Sequence, residues 1–196
     1  GTSAAKTLAV SLKPGEPAIP GTISGSLSVC PGTSETYSIA NVSGATEYIW
    51  TLPSGWTGSS TTNSITVNTG NTGGNITVKA KNDCATGNEK LLAITVRPGT
   101  PAVPGNISGS TDVCPTTSET FSIAAVTGAS EYIWSLPSGW TGTSTTNSIT
   151  VTAATSGSGN ITVKAKNDCG TSTAKTLAVN IKAPAPTMTG TISGNT

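Results

Sequence analysis

The chain has 196 residues, 34% hydrophobic and 10% charged, with a formal net charge of +1 and no histidine. That charge gives no electrostatic case for nucleic acid or anionic lipid. No apolar run approaches the ~20 residues that a membrane-crossing helix needs. Serine and threonine make up about a third of the residues. Threonine, valine and isoleucine punctuated by glycine and proline favour strands, because β-branched side chains suit a pleated surface. The expected fold class is all-β.

The chain opens on "GTSAAKTLAVSLK" (1–13), which returns almost unchanged as "GTSTAKTLAVNIK" (170–182). The second copy closes a long series of strands, so residues 1–13 read as the last strand of a preceding module. Leu8, Val10 and Leu12 would form its apolar row. Such a strand is expected to be ordered and paired. It could also complete the sheet of a neighbouring molecule as a strand donor. Neither an initiating methionine nor a signal peptide is present, so the chain reads as a mature or excised piece cut from a longer array.

A proline-rich linker is expected at 14–20, inside "KPGEPAIPG", and a first module at 21–97. Alternation places strands at "ISGSLSVC" (23–30), "ETYSIA" (35–40), "EYIWTL" (47–52), "NSITVN" (63–68), "NITVKAKN" (75–82) and "KLLAITV" (90–96). Tyr37 and Ile39 share one face, as do Tyr48, Trp50 and Leu52. Ile65, Val67, Ile76, Val78, Ala80, Leu92, Ile94 and Val96 point inward, while Lys79 and Lys81 face water. A second linker follows at 98–104 and a second module at 105–182. A third linker at 183–189 leads to the start of a further module at 190–196. Residues 21–68 align without gaps on 105–152 with 37 identities in 48, a period suited to one β-sandwich. Six or seven short strands per period suggest an immunoglobulin-like sandwich.

Cys30 and Cys84 lie 54 residues apart, and Cys114 and Cys169 lie 55 apart. Of the three possible pairings, the repeat favours Cys30–Cys84 and Cys114–Cys169, one within each module. Each bridge would close ~55 residues and stabilise its module by about 4 kcal/mol. The rival, a four-cysteine metal site, lacks both a CxxC and a histidine. Disulfides imply an extracellular compartment.

The stretches VCPG (29–32), YIW (48–50), NSITV (63–67) and KNDC (81–84) recur in the second copy as VCPT (113–116) and the same later motifs. Together they make the chain resemble the PKD-like, immunoglobulin-like tandem repeats of very large secreted cell-surface proteins of Bacteroidota-type bacteria. Gliding-motility adhesins are well-known bearers of such arrays. Trp50 is followed by Thr-Leu-Pro-Ser-Gly, not by the Asp-Phe-Gly-Asp-Gly of typical PKD domains. The resemblance implies secretion, often through the type IX system, and service as a spacer or adhesive stalk.

Catalysis has few residues to draw on. The only aspartates are Asp83, Asp112 and Asp168, and no two acids are placed as a catalytic pair in a cleft. No catalytic residue, metal ligand or cofactor is expected. Trp56 and Trp140, in "PSGWTG", are the candidates for sugar stacking, or else they pack back onto the sandwich. Trp50, Trp134, Tyr37 and its counterpart Phe121 read as core. Lys79/Lys81 and Lys164/Lys166 read as edge protection. The expected partners are neighbouring repeats of the same chain or filament, and surface glycans in the carbohydrate-binding reading. Nucleic acid and membrane embedding are not expected.

Overall fold

The computed structural model describes residues 1–13 and 15–182, and within them it contains strands and no helix. The expected third linker and further module, at 183–196, lie outside the described residues. Two compact units divide the chain between Arg97 and Pro98.

Unit 1 holds six strands: β1 (Ser28–Val29), β2 (Ser34–Ser38), β3 (Glu47–Thr51), β4 (Ser64–Asn68), β5 (Gly74–Lys81) and β6 (Thr86–Val96). A four-stranded sheet runs in the order β1-β6-β5-β3, and β2 pairs with β4 in a second sheet. All pairs are antiparallel except β1–β6, which is parallel with Ser28 opposite Thr95 and Val29 opposite Val96. Unit 2 repeats the plan with β7 (Asp112–Val113), β8 (Ser118–Ser122), β9 (Glu131–Ser135), β10 (Ser148–Thr152), β11 (Gly159–Asn167), β12 (Gly170–Thr171) and β13 (Lys175–Ile181). There β7 pairs in parallel with β13, β11 lies between β13 and β9, and β8 pairs with β10.

The two-residue alternation of apolar side chains drives this arrangement. Tyr37, Ile65 and Val67 from one sheet meet Tyr48, Ile76, Val78, Ala80 and Ile94 from the other in a single buried cluster. Its copy is built from Phe121, Ile149, Val151, Tyr132, Ile161, Val163, Ala165 and Val179. Each fully buried aliphatic or aromatic side chain contributes ~1.5–3 kcal/mol. The repeated phrase Ile-Ser-Gly has a packing reason. Gly25, at φ 153°, lies so close under the Tyr37 ring that a Cβ would collide with it, and Gly109 stands in the same relation to Phe121. Only glycine permits both the backbone angle and the approach.

Several expectations change. Residues 1–13 form no strand, and Leu8, Val10 and Leu12 are exposed, Leu12 to 98%. Unit 1 supplies its own closing strand, β6, which pairs with β1 and β5, so the place that this sequence takes in the second copy is already filled. The proline-rich segments are packed: Pro17, Pro20, Pro101 and Pro104 are buried. The lysines Lys79, Lys81, Lys164 and Lys166 sit on β5 and β11, which are inner strands, so they protect no edge.

Candidate functional site

In each unit the chain comes in at one pole of the sandwich and leaves at the other. The trailing pole of unit 1 gathers the end of β6, the start of β5 and the "PSGWTG" loop. There the Trp56 N–H donates to the Pro53 carbonyl, 3.1 Å, and Gly55 takes the left-handed angle, φ 80°. This turn folds the indole inward, where its Nε1–H donates to the Thr72 carbonyl, 2.9 Å, and only 6% of the residue remains exposed. Trp140 is equally buried, and its ring meets Phe121 at a centroid separation of 6.5 Å. Neither indole presents a face for a sugar to stack on.

Tyr37 and Phe121 are fully buried, as expected. The Tyr37 hydroxyl donates to the Ser26 carbonyl, 3.0 Å. Burial, with the nearby Glu35 charge adding, pushes its pKa up to about 12. Trp50 and Trp134 differ from expectation in being only half-buried. They lean on the core while their Nε1–H groups donate to Thr62 and Thr146, 2.9 Å each. They sit on β3 and β9, outermost strands of their sheets, which cover only one side of the ring.

The outer face of β2–β4 is a ladder of small polar groups, with Ser34 opposite Asn68, Thr36 opposite Thr66 and Ser38 opposite Ser64. The two threonine hydroxyls are 3.1 Å apart. On the larger sheet the charges pair across strands. Lys81 contacts Glu47 and Lys166 contacts Glu131, 3.0 Å in each case, and Lys79 approaches Glu89 at 3.8 Å. A cleft of about 210 Å³ beside Trp134 is lined by Glu131, Thr143, Ser144 and Thr145. Glu131 is paired there with Lys166. Among the described residues no group of three or more histidine, cysteine, aspartate or glutamate side chains could hold a metal.

The cysteines require a correction. Cys30 and Cys169 are half-cystines, whereas Cys84 and Cys114 are exposed free thiols. Neither the Cys30–Cys84 nor the Cys114–Cys169 bridge exists. Cys30 follows Val29, whose carbonyl accepts from the Arg97 N–H, 2.8 Å, at the trailing pole. Cys84 lies at the leading pole, beyond the far end of β5. There Asn82, 7% exposed, ties the incoming chain to the turn. Its Nδ2 donates to the Gly15 and Gly44 carbonyls and its Oδ1 accepts from the N–H groups of Cys84 and Ala85. The eight residues of β5 separate the two sulfurs by roughly 25 Å, and a disulfide needs Cα atoms within about 7 Å. Unit 2 repeats the geometry. Cys114 follows Val113, which accepts from Lys182, and Cys169 follows the Asn167 clamp on Gly99 and Gly128.

Two facing sheets, with parallel pairing of the first and last strands, define immunoglobulin-type sandwiches. The chain belongs to the PKD-like domain family, which matches it twice, over residues 16–94 and 100–179. No curated protein matches the sequence. Among solved structures, the eight N-terminal Ig domains of Down syndrome cell adhesion molecule align at 14% identity with a TM-score of 0.51, covering 82% of this chain and 24% of that one. The Escherichia coli adhesin FdeC aligns at 17% identity and a TM-score of 0.49, over 83% of this chain and 64% of that one. An intimin fragment aligns at 16% and 0.47, over 82% and 64%. The chain thus spans less than two thirds of each of these structures.

Proposed function

We propose that this chain is a structural repeat segment of an extracellular bacterial surface adhesin, stalk or filament, acting as a stiff extended spacer. The observation that carries this reading is the near-identical repetition of one closed sandwich, with its Trp56-type indoles turned inward and the equivalent Lys81 and Lys166 each held in a cross-strand pair. Membership in the PKD-like family supports it, as does the likeness of fold to a multi-domain cell adhesion molecule. The alternating prolines of 97–105 favour an extended, semi-rigid link over a floppy tether. Half-cystines fit an oxidising, extracellular location. Secretion by bacteria of the Bacteroidota type, through the type IX system, belongs to the same proposal and rests on the VCPG, YIW, NSITV and KNDC motifs. The work of such a segment is mechanical and not catalytic, with neighbouring repeats as its partners.

Small-angle scattering on this chain and on a tandem of two copies tests the reading. The maximum dimension should grow nearly in proportion to the number of modules. A compact particle would overturn it. A saccharide-dependent change in tryptophan fluorescence that is lost in Trp56→Ala would replace it with carbohydrate binding.

A further inference from the structure

The segment 1–13 matches residues 170–182, which hold β12 and β13, at 10 of 13 positions. In the second unit that sequence is the closing strand. From Lys175 to Val179 it pairs antiparallel with β11, while Asn180 and Ile181 pair in parallel with Asp112 and Val113 of β7. Val179 is fully buried there, and Leu177 and Ile181 pack against the same core. The counterparts Leu8, Val10 and Leu12 are 87%, 81% and 98% exposed and lie in no strand. The three differences leave the fit intact. Thr173 and Asn180, replaced by Ala4 and Ser11, are exposed in the second unit, and Leu12 in place of Ile181 conserves volume.

The first unit has the same kind of place, filled by β6, but it is shaped for a different strand. Its residues 85–97 match 1–13 at only 4 of 13 positions. The discriminating position is the third. In the second unit Ser172 is buried, and its Oγ accepts from the Ala165 N–H at 3.0 Å and donates to the Thr173 carbonyl at 2.9 Å. Its own N–H donates to the Ala165 carbonyl at 2.8 Å. The segment 1–13 keeps this residue as Ser3. In the first unit the position belongs to Gly87, where a Cβ would collide with the Pro17 carbonyl. A strand carrying Ser3 is therefore rejected by the first kind of sandwich and matched to the second.

We propose that residues 1–13 are an interaction strand whose partner is a sandwich of the second unit's type that has no closing strand of its own. The segment adds as a strand between the counterparts of β11 and β7. The match sets the register. Val10 lies opposite the counterpart of Gly159, Leu8 opposite that of Ile161 and Lys6 opposite that of Val163, with Leu12 beside that of Val113. A slip of one residue would turn Leu8, Val10 and Leu12 to solvent. This inference rests on the repeat reading and deepens it by naming the kind of module that the segment recognises. It can fail alone, because scattering reports how far the modules extend and not what residues 1–13 bind.

Ending the chain at Cys169 vacates the place in the second unit and keeps residues 1–13. The shortened chain should assemble into head-to-tail oligomers, read by size-exclusion chromatography with light scattering. Leu8→Asp with Val10→Asp should return it to a monomer, and the complete 196-residue chain, whose place is filled, should not assemble in this way. Added to the shortened double variant, a synthetic peptide of residues 1–13 should restore slow amide exchange along β11, and a peptide of residues 85–97 should not. Oligomers that survive the two aspartates, or that the complete chain forms equally, would overturn the proposal. So would equal restoration by both peptides, or none by the first. A second variant does not depend on the shortened chain folding. Thr173→Ala, Asn180→Ser and Ile181→Leu together write the sequence of 1–13 into the closing strand of the complete chain. They should leave the amide protection of β11 and β13 unchanged, and its loss would also overturn the proposal.

Discussion

The two modules share a fold down to individual hydrogen bonds, yet they solve three local problems differently. At the turn after the first cysteine, module 1 has Gly32 at φ 73° and module 2 has Thr116 at φ 59°, a left-handed angle that a β-branched residue adopts only under strain. Beneath that turn, Thr69 is buried and donates to the Cys30 carbonyl, 2.7 Å, while accepting from the Thr33 N–H, 2.9 Å. Module 2 has Ala153 there, and the Thr117 N–H falls back on the Cys114 carbonyl at 3.4 Å. In the core, module 1 has the hydrogen-bonded phenol of Tyr37 where module 2 has the apolar Phe121. The sandwich therefore depends on the buried stripe and the inward tryptophan, which the copies share. The trailing-pole turn is adjustable.

The largest effect should come from what is shared. Trp56→Ala and Trp140→Ala each remove a buried indole and should cost about 3–5 kcal/mol, with the loss confined to the mutated module when amide exchange is followed by mass spectrometry. Unequal losses would show that one module leans on its tryptophan more than the other.

Thr69→Ala converts module 1 to the module 2 solution. It should cost about 1 kcal/mol, because the Thr33 N–H can turn to the Cys30 carbonyl as Thr117 does to Cys114. A loss several times larger, read from denaturant midpoints, would mean that the turn of module 1 cannot relax. Thr116→Gly should stabilise module 2 by ~0.5–1 kcal/mol, the left-handed penalty removed less the entropy that glycine adds to the unfolded chain, and Gly32→Thr should weaken module 1. The smallest effect at neutral pH is that of Tyr37→Phe, which copies module 2. Its signature lies at high pH. The fold holds the phenol proton to about pH 12 whereas an unfolded tyrosine releases it near 10. Stability linked to Tyr37 is thus complete below pH 10 and is lost as the pH rises from there to 12. Module 1 should soften faster than module 2 across that window, and Tyr37→Phe should abolish the difference.

The strands and their inward faces were legible because alternation is a local signal, and Ile76, Val78 and Ala80 could face only one way. What alternation does not encode is position along the strand. Cys30 and Cys84 both flank strands, and nothing in their neighbours says that they flank opposite ends of β5. Strand order is similarly silent. Lys79 and Lys81 have the look of edge residues, yet their strand is flanked on both sides by partners found 30 residues before and 10 after. Trp50 departs from expectation for a related reason, whereas Trp56 takes the inward of its two readings. The periodicity of β3 put Trp50 inside without revealing that β3 ends its sheet. The Pro-Ser-Gly turn that buries Trp56 acts through a single backbone angle.

The parallel pairing of β1 with β6 bears on how a module behaves under tension. Force applied to the two ends of a sandwich travels along these strands in opposite directions. The Thr95 N–H to Leu27 and Arg97 N–H to Val29 bonds, 2.9 and 2.8 Å, are then strained side by side and must give way together. Asn180 to Thr111 and Lys182 to Val113, 2.7 and 2.8 Å, do the same in the second copy. A strand peeled from one end breaks its bonds in turn, but one dragged lengthwise yields only when all of them fail at once.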